Sequence, residues 1–203
     1  MQTLPVEITR EIFLQCLDED RWAIGLRPLE APLLLTHVCH EWRRVALDYP
    51  LLWAWMRLQV WSRSEATKAQ LQLLQDILAR VLPAGPTLNL QLLQQNNRES
   101  DELQQTDLSN VTSFLVSMGW TLTRLTLVGV SSQELVALPP DQFPSLERLV
   151  LEHRGFEGRT ERAIISAFEA CPHLRRVALK AEPHTAFADP DGLLEVALPW
   201  HQI

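Results

Sequence analysis

The run Leu122-Thr123-Arg124-Leu125-Thr126-Leu127 decides how this chain folds. Its fourth and sixth residues are apolar and the fifth is polar, the alternation of a short strand with one buried face. The same spacing returns as Leu146-x-x-Leu149-x-Leu151, Leu174-x-x-Val177-x-Leu179 and Leu193-x-x-Val196-x-Leu198. Recurrence at roughly 20 to 29 residues marks a solenoid, in which each unit buries its apolar face only by stacking on the next. Trp53-x-x-Met56-x-Leu58 fits the template further upstream and is a candidate first rung.

The segments between these runs have helical character. Ser109 to Met118 precedes the first run, Ser131 to Leu138 opens with the capping box Ser131-x-x-Glu134, and Thr160 to Ala170 is closed by Cys171-Pro172. Further upstream, Ser62 to Leu82 places Leu71, Leu74, Leu78 and Val81 on one helical face behind the box Ser62-x-x-Glu65, and Pro83-Ala84-Gly85-Pro86 ends it. Thr87-Leu88-Asn89-Leu90 suggests a strand. The polar residues from Gln94 to Gln105 have no apolar period and predict a mobile loop near 94–106. Strand alternating with helix across short links favours parallel pairing. The pattern resembles the degenerate leucine-rich repeats that form irregular solenoids, without the Asn or Cys that regular repeats place at the turn. The chain runs to Ile203, just past the last run, with no polar capping unit beyond it. A shortened array that exposes Leu194, Val196 and Trp200 is the expectation.

One slot of the repeat carries charge. Arg124, Arg148 and Arg176 each stand immediately before the second apolar position, so three successive rungs, roughly 4.8 Å apart, bring them into one column on the face opposite the leucines. Such a column could hold an acidic or phosphorylated substrate segment. It could equally be a solvated face neutralised by Glu147 and Glu152.

The first quarter of the chain reads differently. Ile8, Ile12, Phe13, Cys16 and Leu17 recur at helical spacing after Pro5, which suits a first helical turn. A second helix starts at Pro32 and carries Leu34, Leu35 and Val38, and a third runs from about His40 to Leu47 with Trp42, Val45 and Ala46 inward, ending before Pro50. Three helices this short enclose a core too small to be stable alone, so a partner is expected. Leu4-Pro5-x-Glu7-Ile8, Glu11-Ile12-Phe13, Val38-Cys39-x-x-Trp42-Arg43-x-x-Ala46 and Leu52-Trp53 together resemble the F-box motif. The link from Asp18 to Ala31 is longer than is usual there, but added loop length costs little. Five of the tryptophans, Trp22, Trp42, Trp53, Trp55 and Trp61, fall in this part of the chain and divide between core filling and interface duty.

Composition narrows the function classes. A formal net charge of -7 over 203 residues argues against nucleic acid or an anionic membrane as the main partner. Cys16, Cys39 and Cys171 form no CxxC pair and suit a reducing compartment, and no secretory signal or membrane span is evident, so cytoplasm or nucleus is the default. His37, Cys39 and His40 point to different faces at their spacing, and no second ligand cluster exists to complete a metal site. His40-Glu41-Trp42-Arg43-Arg44 lacks the second histidine of a metalloprotease helix, and no phosphate-binding glycine loop or serine nucleophile elbow is present. No catalytic residue, cofactor or metal is expected.

The expected organisation is therefore an F-box-like helical module at 1–53 followed by a leucine-rich-repeat-like solenoid at 54–203, an α+β to α/β solenoid with a small parallel sheet. The resemblance implies a substrate-recognition adaptor of a Skp, cullin and F-box ubiquitin ligase, with no bond chemistry of its own. By motif match its docking residues for the Skp adaptor are Leu4, Pro5, Ile8, Ile12, Phe13, Leu34, Val38, Trp42, Leu52 and Trp53, some contact and some core. The competing reading is a leucine-rich-repeat interaction scaffold without a ligase role, whose first helices only cap the array. An apolar stripe left exposed at Ile8, Ile12 and Val38 distinguishes the two, because a cap must be polar outside.

Overall fold

The computed structural model describes residues 4–17, 29–61, 65–81, 88–95, 109–130, 132–153, 164–181 and 195–203. Its strands are β1 (Trp55–Trp61), β2 (Leu88–Gln95), β3 (Leu122–Val128), β4 (Arg148–His153), β5 (Ile164–Ile165), β6 (Arg176–Ala181) and β7 (Glu195–Val196). Its α-helices are α1 (Val6–Gln15), α2 (Leu33–Val38), α3 (His40–Leu47), α4 (Glu65–Val81), α5 (Ser109–Met118) and α6 (Ser132–Val136). The chain is a mixed α/β structure around an open, wholly parallel sheet in the order β1-β2-β3-β4-β6. β5 and β7 form a separate parallel pair.

The register follows from the apolar slots. Met56, Leu90, Leu125, Leu149 and Val177 stand opposite one another across all five strands of the sheet. The first four are buried, and Val177 on the edge strand is partly buried against the same core. The helices that link successive strands cover this face: Leu71, Leu74, Ile77 and Leu78 of α4 and Val111, Phe114, Leu115 and Met118 of α5 belong to the same buried cluster. Each fully buried Leu or Phe contributes about 1.5–3 kcal/mol, so a shared face of this kind holds the rungs together without any regular turn motif. Phe143, ahead of β4, stacks on Phe168, ahead of β6, with ring centroids 5.3 Å apart. Backbone bonds extend the ladder beyond the strands, Glu147 N–H donating to the Thr123 carbonyl at 2.8 Å and Arg175 N–H to the Glu147 carbonyl at 2.9 Å.

The N-terminal helices do not form a separate core. Phe13, Leu33, Leu35, Val45, Ala46, Leu52 and Trp53 are buried in one cluster with Met56, Leu71 and Leu74 of the strand-and-helix part. Trp53 is fully buried in a 3-10 turn (Pro50–Trp53), and its indole N–H donates to the Ala46 carbonyl at 2.9 Å, so one side chain ties the end of α3 to the start of the sheet.

Several expectations need correction. Gln94 and Gln95, expected to open a polar loop, belong to β2, and residues 96–106 lie outside the described residues. Within the helix expected over Thr160 to Ala170, residues 160–163 lie outside the described residues, Ile164–Ile165 is strand, and 167–170 is turn. The physical reason is the β-branched pair Ile164-Ile165, which suits a strand, with Pro172 too close behind for the segment to extend as a helix. The last repeat run does not add a rung to the sheet: Glu195–Val196 pairs with β5, leaving β6 at the edge. Leu179 on that edge is consequently exposed. Of the C-terminal residues expected to be exposed, Trp200 is, Val196 is half-buried, and Leu194 lies outside the described residues.

The turn into β3 sets a stringent test of the packing. A side chain at Gly119 would meet the carbonyl oxygen of Gln142 and come within 3.2 Å of Phe143 Cδ1. Neither neighbour can yield cheaply, one being backbone and the other a ring in the core. Gly119→Ala is expected to destabilise the protein by about 1–3 kcal/mol, lowering Tm by about 2–4 °C per kcal/mol at this size. Thermal unfolding followed by circular dichroism checks it, and an unchanged Tm would contradict the close approach.

Candidate functional site: two docking surfaces

On the helical module, the structure divides the expected docking residues into two groups. Leu4, Pro5, Ile8, Ile12, Leu34 and Val38 are exposed. Phe13, Leu52 and Trp53 are buried, and Trp42 is half-buried with its ring set edge-on to Phe13 at 5.0 Å between centroids. Cys16, placed with Phe13 on the α1 stripe, is also exposed, whereas Leu14 and Leu17 pack partly buried on the core. The inward face of α1 is thus the one through Phe13, Leu14 and Leu17. Ile8 and Ile12, four residues apart on α1, share another face that no described element covers, as do Leu34 and Val38 on α2, and Leu4, just ahead of α1, is exposed too. Val6 and Leu51 are exposed as well and were not anticipated.

Polar contacts brace the helices that carry these faces. Arg43 Nε donates to the Thr36 carbonyl at 2.7 Å, joining α3 to α2. The Arg10 guanidinium lies 5.2 Å over the Tyr49 ring, joining α1 to the end of α3. Cys39 serves as the N-cap of α3, its Sγ accepting from the Trp42 N–H at 3.4 Å. The expected inward residues of α3 are found inward, with Val45 and Ala46 buried.

The second surface is the face of the sheet opposite the leucines. Arg124, Arg148 and Arg176 stand in direct register on β3, β4 and β6, and all three are exposed. Neighbouring strand backbones are about 4.8 Å apart, but the Arg124 side chain leans across β2, away from Arg148. Glu147 forms no ion pair with any of the three among the described residues. The column continues backwards through Asn89 to Trp55, and the Arg124 guanidinium lies 5.3 Å from the Trp55 ring. Trp55 was not anticipated here, although a signal was present: it precedes Met56 as Arg124 precedes Leu125, so it fills the same slot of the repeat.

No assembly of three His, Cys, Asp or Glu side chains suited to a metal ion occurs among the described residues. His37, Cys39 and His40 are exposed at the junction of α2 and α3. Trp22 lies outside the described residues. No helix among the described residues is long and apolar enough to cross a membrane. Comparison of the chain with protein-family models, with curated protein sequences and with solved structures gives no match.

Cys171 is buried, and its thiol is pushed up to about 11 from 9.0, first by burial and second by the Asp141 carboxylate. The folded state holds this proton more tightly than the unfolded state. Its stabilising contribution is therefore complete below pH 9.0 and is lost as the pH rises towards about 11. At about pH 8 a thiol reagent is expected to modify the exposed Cys16 and Cys39 and to reach Cys171 only on unfolding. The urea midpoint, compared with that of Cys171→Ala, should fall between pH 9.0 and about 11. Immediate reaction of all three thiols in the folded protein would contradict this burial.

Proposed function

We propose that the chain is a substrate receptor of a Skp, cullin and F-box ubiquitin ligase, built as an F-box module followed by a short irregular leucine-rich-repeat solenoid. The observation that carries this reading is the exposed apolar set of Leu4 just ahead of α1, Ile8 and Ile12 on α1, and Leu34 and Val38 on α2, while Phe13, Trp42, Leu52 and Trp53 hold the same helices to the core. A helical cap that merely closed a repeat array would present polar residues outward. Single exposed apolar residues are ordinary on protein surfaces, but rows at four-residue spacing on two neighbouring helices suit a partner's groove. The register of the leucine rungs supports the solenoid half of the proposal, and the order of F-box-like residues through Trp53 supports the other.

In this role the protein breaks and forms no covalent bond. The helical end binds the Skp adaptor and, through it, the cullin, while the sheet end holds a protein substrate. Tethering raises the effective concentration of substrate lysines near the ubiquitin-charged enzyme. The module is compatible with a reducing cytoplasmic or nuclear setting, in which the exposed Cys16 and Cys39 stay as thiols.

Capture by a purified Skp adaptor tests the proposal. Leu4→Ala with Pro5→Ala, and separately Ile8→Asp with Val38→Asp, should weaken capture at least about tenfold, since a loss of 1.4 kcal/mol suffices for that. Because all four positions are exposed, thermal unfolding of both variants should match the parent chain. Undiminished capture by either folded variant would end the assignment.

A further inference from the structure

We infer that the outer edge of β6 is a strand-addition site, which takes an extended substrate segment of the pattern acid, apolar, any residue, apolar, acid. The inference rests on the reading of the chain as a substrate receptor and names the kind of segment the receptor holds.

The backbone supplies the first argument. β6 ends the order β1-β2-β3-β4-β6, and no described strand pairs with its outer side. Arg176 stands opposite Arg148 and its N–H donates to the Glu147 carbonyl at 3.2 Å, so Arg176, Ala178 and Lys180 turn their N–H and C=O groups towards β4. The intervening Val177 and Leu179 turn theirs outward, where water or an added strand must satisfy them. The register with β4 is unbroken from Arg176 to Ala181, and that run contains no proline. Neither a bulge nor a proline therefore blunts this edge.

The same two residues leave apolar burial unfinished. In the row Leu127, Leu151 and Leu179, exposure is 1% on β3 and 7% on β4 but 52% on β6, and Val177 is half-buried where Leu125 and Leu149 are buried. An added strand would cover both with apolar residues at the matching positions. On the opposite face Arg176 and Lys180 are exposed. Lys180 has Glu152 as its in-register neighbour on β4 whereas Arg176 has Arg148, which makes Arg176 the stronger anchor for a carboxylate. Opposite charges directly across a strand pair stabilise it, and like charges oppose it. From Arg176 to Lys180 the complement is thus acid, apolar, any residue, apolar, acid. This pattern is the same in both directions, so it suits a parallel or an antiparallel guest. A second copy of the chain is a poor guest: two-fold pairing that keeps the faces of both sheets aligned sets, at fullest overlap, each Arg176 against the other copy's Lys180. Edge charges of one sign reject self-pairing while selecting an acidic strand.

The experiment uses the whole chain and fluorescent peptides with the core Glu-Val-Thr-Val-Glu between Gly-Ser flanks, read by anisotropy. The same peptide with Lys for both Glu should bind at least about tenfold more weakly. Two further forms of the Glu core carry backbone N-methyl groups, one on both valines and the other on the threonine and the second glutamate. Each keeps the side chains and loses donors on one edge, so one form should lose binding and the other keep it, which reports the strand direction. Arg176→Glu with Lys180→Glu should reverse the preference in favour of the Lys core. Leu179→Pro, which removes an outward N–H without breaking a bond to β4, should abolish binding of the Glu core. Unfolding transitions check that both variants fold. Capture by the Skp adaptor, measured on the same samples, should match the parent's in both. Absent capture with the peptide preference intact counts against the receptor assignment, and intact capture without the preference counts against this inference. Equal binding of the Glu and Lys cores by the parent, a preference unchanged by the charge reversal, full binding of both N-methylated forms, or a parent dimer that Leu179→Pro dissociates would overturn it.

Discussion

Which side chains line each face of the sheet depends on the backbone register of its parallel strands. Met56, Leu90, Leu125, Leu149 and Val177 face one another across β1, β2, β3, β4 and β6, and the helices between the strands bury that face. Because side chains alternate along a strand, the same register places Trp55, Asn89, Arg124, Arg148 and Arg176 in line at the preceding positions. A slip of one residue would turn the leucines out and the arginines in, at a cost no surface interaction could offset. The hydrophobic effect thus enforces a charge alignment that electrostatics alone would oppose.

Most of this was legible in the sequence, and the departures have identifiable causes. The LxxLxL spacing named the rungs at β1, β3, β4 and β6 and, through their shared slot, the arginine column. The rung at β2 was legible only as a strand, because its leucines alternate as Leu88-x-Leu90-x-Leu92 with one residue fewer than the template. The structure absorbs the difference as a register shift: Leu88 pairs with Leu122 while the next residue, Asn89, pairs with Arg124. Thr123, the residue left over, turns its carbonyl to the Glu147 N–H instead. The last repeat run misled for a different reason. Spacing along the chain specifies a strand but not its neighbour, and β7 found β5 rather than β6. At the helical module, the periodicity of Ile8, Ile12 and Phe13 announced an amphipathic helix without saying which edge of the stripe was covered. That division depends on α3, whose Trp42 meets Phe13 and leaves the isoleucines outside.

The helical module and the sheet share one buried cluster around Trp53. Three short helices bury too little to fold alone, and here they share the apolar cluster of the sheet and α4. Trp53 contributes its ring to that cluster and its N–H to the Ala46 carbonyl, satisfying the polar atom that burial would otherwise penalise.

The two exposed surfaces also differ in what they demand of their partners, and the difference follows from their chemistry. The apolar rows on α1 and α2 would gain from burial through the hydrophobic effect, which does not depend on charge. The three arginines stand on an otherwise acidic protein, and any contact made through their charge weakens as salt rises, because the screening length is about 8 Å at physiological ionic strength and shortens from there.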